Sequence, residues 1–174
     1  MPLAERLVLQ QADITTLDVD AIVNSANNAL MPGGGVCGAI HRAAGPELAD
    51  ACAELAPCPT GEVRITPGFR LKARWVLHAV GPVWRGGQQG EERLLTLCYR
   101  ATLAEADAEE LETVAFPAIS TGIYGFPLEL ATHIALREIA AALERATNLN
   151  CVVCACFDAS TLATYEAVRR ELDL

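Results

Sequence analysis

The chain alternates short apolar segments with longer segments that carry apolar residues at helical spacing, and this alternation strongly constrains its fold. Residues 151–157 show it clearly, because they comprise only valine, cysteine, alanine and phenylalanine. Short runs of this kind are typical of buried strands, whereas apolar residues three or four positions apart are typical of helices. The predicted strands span residues 6–10, 21–23, 62–66, 75–80, 113–118 and 151–157. The predicted helices span residues 38–44, 46–56, 91–108 and 127–146, followed by a last helix capped near Ser160.

Strands that are apolar on both faces and separated by helices predict a largely parallel sheet, covered by helices on both sides. We therefore expect an α/β fold. The length of 174 residues suits a single domain over residues 1–174. Ligands of such sheets bind in the crevice at the carboxyl ends of the strands, so the segments that follow strands form the candidate site. Residues 85–90, polar and rich in glycine, are expected to form a mobile surface loop.

The charge of the chain restricts its partners. It has 13 basic and 22 acidic residues, a net charge of −9, and Lys72 as its single lysine. A general nucleic-acid binder carries a basic surface, so we expect no binding to nucleic-acid duplexes. No apolar run approaches the roughly 20 residues that cross a bilayer, so we expect no membrane partner. An anionic ligand would have to be held by backbone N–H groups and helix N-termini.

Seven cysteines and three histidines raise the question of a metal site. The odd cysteine count, with no basic and apolar leader at the N-terminus, indicates reduced thiols and a cytoplasmic location. The cysteines at positions 151, 154 and 156 lie in an apolar, β-branched run, which favours a core strand. The histidines at positions 41, 78 and 133 show no ligand spacing. We therefore expect no zinc site.

Two glycine-containing segments each leave a predicted strand and open a predicted helix. The first glycine loop comprises residues 24–38 and contains three successive glycines, and the second glycine loop comprises residues 120–127. Glycines let a backbone approach a ligand closely and direct N–H groups at an oxyanion, and the helix dipole favours the same charge. Each loop alone is equally consistent with a tight turn. Together, in a chain with one lysine, they predict a site for a diphosphate.

Residues 33–38 formally match the dinucleotide-binding pattern G-x-G-x-x-G. That pattern normally follows its strand directly, whereas nine residues intervene here after Val23. A nicotinamide-dependent oxidoreductase is therefore disfavoured. A P-loop requires lysine followed by serine or threonine, which Lys72 does not provide, so an ATPase of that class is excluded.

Motifs that carry a family resemblance run in order along essentially the whole chain. They span residues 13–15, 19–27, 33–35, 38–46, 58–62, 78–84 and 116–125. These segments resemble those of MacroD-type macrodomains, in particular the bacterial proteins described as O-acetyl-ADP-ribose deacetylases and mono-ADP-ribosyl hydrolases. The resemblance implies a three-layer α/β/α sandwich with a mixed sheet, ADP-ribose as ligand, and neither a metal nor an organic cofactor.

The resemblance also implies roles for particular residues. Asp13 would accept a hydrogen bond from the adenine amino group beside Ile14, and Phe157 would stack on the adenine. Asp13 could instead be a cap, and Phe157 could belong to the core. Asn27 would hold hydroxyls of the distal ribose, whereas Asn24 reads as structural. One side of the diphosphate and distal ribose would be lined by Gly33, Gly34, Gly35 and Val36. The other side would be lined by Ser120, Thr121, Gly122, Ile123 and Tyr124.

Cys37 stands where the family usually carries an aspartate that is proposed to orient or activate the attacking water. A thiol is mostly neutral at pH 7 and is a poor acceptor. Three interpretations remain. In the first, the protein hydrolyses its ADP-ribosyl substrate slowly, and a phosphate oxygen of the ligand places the water. In the second, the N–H groups of the glycine loop and the helix N-terminus lower the pKa of Cys37, which then acts as a base. In the third, the protein binds ADP-ribose without hydrolysing it. A covalent Cys37 nucleophile is disfavoured, because His41 is the only histidine nearby in sequence.

The resemblance therefore implies hydrolysis of ADP-ribosyl esters on glutamate or aspartate, or of O-acetyl-ADP-ribose, with Asn27 and Cys37 as the candidate catalytic residues. The alternative is a non-catalytic ADP-ribose reader. The expected partners are ADP-ribose itself, ADP-ribosylated proteins and O-acetyl-ADP-ribose. The oligomeric state is left open.

Overall fold

A computed structural model describes all residues from 1 to 174. Six strands form one sheet in the order β1-β6-β5-β2-β4-β3. All neighbouring strands are parallel except β3, which runs antiparallel to β4. The strands are β1 Leu7–Gln11, β2 Ala21–Ser25, β3 Val63–Pro67, β4 Trp75–Ala79, β5 Thr113–Phe116 and β6 Cys151–Cys156. The helices are α1 Leu3–Arg6, α2 Gly35–Ala44, α3 Glu47–Leu55, α4 Glu91–Ala108, α5 Leu128–Arg145 and α6 Ala159–Glu171, and a 3₁₀ helix spans Ile14–Thr16.

Each face of the sheet is covered by a separate apolar core. In β2, Val23 belongs to the larger core, which α4, α5 and α6 cover, whereas its neighbour Ile22 belongs to the smaller core beneath α2 and α3. Successive side chains of a strand point to opposite faces, so a strand flanked by helices on both sides must be apolar throughout. The predicted α/β/α sandwich with a mixed, largely parallel sheet is therefore confirmed.

Several predicted boundaries are wrong by a few residues. The first strand begins at Leu7 because α1 occupies the preceding residues, and α2 begins at Gly35 rather than at residue 38. The last helix is capped by Asp158 rather than near Ser160, since its carboxylate accepts a hydrogen bond from the N–H of Thr161 at 2.8 Å. The end of β6 at Cys156 matters most, because it leaves Phe157 outside the sheet.

The parallel strands bring their carboxyl ends to one edge. Gln11 of β1 is level with Cys156 of β6, and Phe116 of β5 is level with Cys154. The segments after β1, β2, β5 and β6 therefore meet at this edge, as expected for ligand sites of such sheets. No helix combines the length and apolar character that a membrane crossing requires.

Residues 85–90, predicted to be a mobile loop, are tied to a buried carboxylate. Glu91 is 2% exposed, and its two oxygens accept hydrogen bonds from the N–H groups of Arg85, Gly87 and Gln89 at 2.6–3.0 Å. Burial opposes ionisation of Glu91, but these bonds outweigh it and lower its pKa. The anion therefore orders a segment whose sequence looks flexible.

Candidate functional site

A cleft of about 570 Å³ opens at the carboxyl edge of the sheet. Its volume lies within the range of sites for small molecules. The structure brings every predicted site residue to its lining. These are Asp13, Ile14, Asn27, Gly33, Gly34, Gly35, Val36, Cys37, Ser120, Thr121, Gly122, Ile123, Tyr124 and Phe157.

Sequence reasoning missed several further lining residues, which are Ala12, Ser25, Ala39, Arg42, Pro117, Ala118, Ala155, Asp158 and Thr161. A signal for one of them was present. Arg42 follows Gly35 by seven residues and Ala39 by three, so the three share one face of α2. Thr161 had no such signal, because its position depends on where α6 begins.

The first glycine loop ends in the opening turn of α2. Gly34 is the N-cap residue and Gly35 adopts a φ of +56°, a left-handed conformation that favours glycine. The first backbone hydrogen bond across this turn runs from the Gly38 N–H to the Gly34 carbonyl at 3.2 Å. The N–H groups at positions 35–37 therefore have no partner within the helix. They mark the positive end of the helix dipole beside the cleft.

The second glycine loop is closed by its own hydrogen bonds. The N–H of Phe126 donates to the Ser120 carbonyl at 2.9 Å, and the Thr121 hydroxyl donates to the Ala118 carbonyl at 2.8 Å. Ser120 has a φ of +67°, and its buried hydroxyl has no hydrogen-bond partner. This loop meets the first one across the cleft, because a Cβ atom on Gly34 would lie 3.0 Å from the Ile123 side chain.

One end of the cleft combines a carboxylate with an exposed aromatic ring. Asp13 caps the 3₁₀ helix, because its Oδ1 accepts hydrogen bonds from the N–H and hydroxyl of Thr15 at 3.0 and 2.7 Å. The cap interpretation of Asp13 is thus confirmed, while its Oδ2 makes no hydrogen bond in the structure. Phe157 is 85% exposed, so the alternative that it belongs to the core is wrong. Ile14 is 5% exposed and forms the apolar floor beside them.

The other end contains Asn27, which also holds the first glycine loop together. Its Nδ2 donates to the Met31 carbonyl at 2.9 Å, and its Oδ1 accepts from the Met31 N–H at 3.1 Å. An amide group has a second N–H and a second lone pair, so one of each remains without a partner in the protein. A Cβ atom on Gly33 would lie 3.6 Å from the Asn27 nitrogen, which places the two residues side by side.

Cys37 lies on the floor of this end and is 6% exposed. Its thiol donates toward the Met31 carbonyl at 3.6 Å and accepts from the Asn24 amide at 3.8 Å. Burial raises the pKa of Cys37, and the hydrogen bonds from Asn24 and from the Gly33 backbone offset that only in part. Deprotonation would also leave a thiolate facing a carbonyl oxygen. The proposed lowering of its pKa is therefore wrong, and the thiol is neutral at pH 7.

A chain of buried polar groups continues inward from Cys37. The Asn24 amide nitrogen lies 3.1 Å from Nδ1 of His78, and Nε2 of His78 lies 2.9 Å from the Thr66 hydroxyl, which bonds the Pro67 carbonyl. Since an amide nitrogen can only donate, Nδ1 accepts and the proton of His78 is on Nε2. This arrangement supports the structural interpretation of Asn24.

Neither buried histidine activates the thiol. Burial lowers the pKa of His78 to about 3, so its ring is neutral. Burial also lowers the pKa of His41, and neither of its ring nitrogens has a hydrogen-bond partner. Because no base contacts Cys37, the structure gives no support to a covalent cysteine mechanism.

Comparisons with known proteins agree with this architecture. A Macro domain family model matches residues 23–135. A Macro domain-containing protein of Ralstonia nicotianae is 56% identical over 161 residues, which are 92% of each chain. An O-acetyl-ADP-ribose deacetylase of Salmonella gallinarum is 48% identical over 167 residues, covering 94% of this chain and 93% of the relative.

The solved structures point the same way. The Trypanosoma brucei macrodomain in complex with ADP-ribose aligns with a TM-score of 0.87 and 44% identity. The alignment covers 93% of this chain and 68% of that protein. With a family model that spans more than half of its length and relatives that span nearly all of it, the chain belongs to the Macro domain family.

Proposed function

We propose that the cleft binds ADP-ribose and that the two glycine loops hold its diphosphate. The observation that carries this proposal is the meeting of the loops at Gly34 and Ile123, beside N–H groups of α2 that have no intrahelical partner. A diphosphate needs many donors, and these amides supply them without a lysine. The macrodomain of Trypanosoma brucei in complex with ADP-ribose supports this choice of ligand.

The adenine would occupy the end of the cleft at Phe157. An exposed aromatic ring offers a stacking surface worth about 1–3 kcal/mol per base. The adenine amino group would donate to Oδ2 of Asp13, because Oδ1 is engaged in capping. Ile14 would contact the base from below. The distal ribose would then extend to Asn27, Gly33 and Cys37 at the other end.

The activity we propose is slow hydrolysis of ADP-ribosyl esters on glutamate or aspartate, or of O-acetyl-ADP-ribose. Water attacks either C1″ of the distal ribose or the acyl carbon of the ester, and the carboxylic acid is released. Cys37 cannot take the proton of this water, because its thiol stays protonated. A phosphate oxygen of the ligand places the water instead. The relative named O-acetyl-ADP-ribose deacetylase supports hydrolysis in this family.

A second candidate function is ADP-ribose reading without hydrolysis. The specific observation in its favour is the neutral thiol of Cys37, since no group in hydrogen-bond contact with it serves as a base. A neutral thiol is compatible with binding, because it adds no negative charge beside the N–H groups that would hold the diphosphate.

Two measurements test the proposal in sequence. Calorimetric titration with ADP-ribose, NAD and adenosine should show binding of ADP-ribose in preference to NAD. An equal or stronger response to NAD would favour the oxidoreductase alternative and contradict the proposal. Incubation with an auto-modified ADP-ribosyltransferase, followed on a gel, then separates the two functions. Loss of the label indicates hydrolysis, whereas a label that persists in the presence of tight ADP-ribose binding indicates a reader.

A further inference from the structure

Arg42 lines the cleft although neither glycine loop contains it. It lies on the exposed face of α2, where Gly35, Ala39 and Arg42 follow one another at intervals of four and three residues and all line the cleft. The opposite face of the helix, including Cys37 and Ile40, is buried. The cleft therefore extends along α2 beyond its first turn.

The guanidinium of Arg42 is directed back toward the start of α2. Side chains in a helix tilt toward its N-terminus, so a long side chain at position 42 reaches the preceding turn. A Cβ atom built on Gly38 would lie 3.1 Å from Nη1 of Arg42 and 2.4 Å from the Gly33 carbonyl oxygen. The positive charge consequently lies over the first glycine loop, close to Gly33.

This charge is not neutralised by the protein. Arg42 makes no salt bridge and no side-chain hydrogen bond in the structure, whereas Arg100 forms a close pair with Glu138 at 2.8 Å. The other charged residues that line the cleft are Asp13 and Asp158, each of which caps a helix. Arg42 is thus the single cation of the cleft in a chain of net charge −9.

We propose that Arg42 binds an oxyanion at the cleft and so adds a charged contact to the main-chain amides. The inference rests on the proposed function. Two sources can supply the oxyanion: the diphosphate of ADP-ribose, or a carboxylate next to the modified residue in an ADP-ribosylated peptide. A guanidinium recognises both groups through paired N–H donors. In either case Arg42 draws an anionic ligand toward a protein whose overall charge repels it.

The test compares Arg42→Gln with Arg93→Gln. Arg93 is an exposed arginine of α4 that also lacks an ion pair and does not line the cleft, so its replacement changes the net charge equally. Calorimetry gives the affinities of both variants and the unaltered protein for ADP-ribose and adenosine at low and high salt. Melting temperatures establish that both variants are folded. A second pair of ligands consists of peptides that carry amide-linked ADP-ribose, which resists ester hydrolysis, with and without neighbouring aspartates.

If the diphosphate is the source, Arg42→Gln weakens ADP-ribose binding by about fivefold and leaves adenosine binding unchanged. The difference in ADP-ribose affinity between Arg42→Gln and the unaltered protein then shrinks at high salt. If the peptide carboxylate is the source, Arg42→Gln and the unaltered protein bind free ADP-ribose equally, and Arg42→Gln binds only the peptide with aspartates more weakly. Equal affinities of Arg42→Gln and the unaltered protein for every ligand would overturn the inference, as would an equal effect of Arg93→Gln. Failure of the unaltered protein to bind ADP-ribose would overturn the proposed function as well.

Discussion

At the level of single side chains, the most consequential residue is Cys37, because a neutral thiol replaces the carboxylate that the resemblance implies. The amide of Asn24 already donates to this sulfur at 3.8 Å. The same donor would stabilise a carboxylate at this position. The site is therefore arranged to accept an anion that the native side chain does not provide.

Cys37→Asp should raise the rate of ester hydrolysis by about tenfold or more, because a carboxylate orients and polarises water better than a thiol. The affinity for ADP-ribose should fall by about two- to threefold, because a negative charge then lies near the diphosphate. Turnover of ADP-ribosylated glutamate and calorimetry measure the two effects. Cys37→Asn is the control, since it matches the shape of aspartate without the charge. An unchanged rate in Cys37→Asp would refute the role assigned to this position.

The burial of His78 predicts a dependence of stability on pH, because its ring is neutral in the folded protein at a pH where an unfolded histidine is charged. Its pKa is lowered from 6.5 to about 3 by burial, so below pH 6.5 the unfolded chain binds a proton that the folded chain excludes. The free energy of unfolding should therefore decrease as the pH falls from 6.5 toward 3, by up to about 1.4 kcal/mol per pH unit.

Denaturant unfolding of the protein and of His78→Gln at a series of pH values tests this expectation. The variant should be less stable at pH 7, because the hydrogen bonds to Asn24 and Thr66 are altered. Its stability should also depend less on pH between 6.5 and 4. Parallel pH profiles for the two proteins would show that His78 does not cause the loss.

At the level of secondary-structure elements, the start of α2 determines the geometry of the first glycine loop. Helix α2 packs so closely against this loop that a Cβ atom on Gly38 would lie 2.4 Å from the Gly33 carbonyl oxygen. Atoms at that distance must move apart, and the neighbour here is backbone, which cannot simply rotate away. Glycine at position 38 thus sets the distance between the helix and the loop.

Gly38→Ala should lower the affinity for ADP-ribose by about tenfold or more, because the displaced loop no longer aligns its amides with those of α2. Alanine favours a helix over glycine by about 1 kcal/mol, so any loss of melting temperature would reflect the steric contact. Calorimetry and thermal unfolding measure both quantities. Gly122→Ala is the control for stability, since nothing lies within 4 Å of its Cβ position. Full affinity in Gly38→Ala would show that the loop tolerates the shift.

At the level of the whole molecule, buried or half-buried carboxylates connect segments that are distant in sequence. Asp20 accepts hydrogen bonds from the N–H groups of Glu112 and Thr113 at 2.8 and 3.1 Å, which joins β2 to β5. Asp107, at the end of α4, accepts from Asn148 and Leu149 at 2.6 and 2.9 Å. These contacts hold the loops opposite the cleft and keep the strands in register.

Asp107→Asn should lower the melting temperature by about 4 °C, because the amide cannot replace a charged acceptor for several N–H groups. The backbone hydrogen bonds from Asn148 and Leu149 lower the pKa of Asp107 below 3.8, so its contribution persists above that pH and disappears as the pH falls through the lowered value. Thermal unfolding of the unaltered protein and of Asp107→Asn at pH 7 and pH 3 measures the contribution of Asp107 to the melting temperature. Asp18→Asn, at an exposed position, should leave the melting temperature unchanged.

Local pattern predicted the six strands, five of the helices, a largely parallel sheet covered on both sides, and the two glycine loops, but it missed α1 and nine residues of the cleft lining. Alternating apolar segments and glycine-rich turns can be recognised within a few residues of sequence. Parallel strands then necessarily bring the loops that follow them to one edge of the sheet. The resemblance added the ligand chemistry of particular positions, such as Asp13 and Phe157. Boundaries were less accurate, because the capping residue Asp158 and the short helix α1 depend on individual hydrogen bonds.

The electrostatic state of the site followed instead from contacts across the fold. The protonation of Cys37 depends on burial, on Asn24, which lies 13 residues away in sequence, and on Gly33, and that of His78 depends on the enclosed face of the sheet. The exposure of Phe157 and the unpaired charge of Arg42 likewise depend on which segments fold beside them. Desolvation and hydrogen bonding act through space, so the order of residues along the chain carries little information about them.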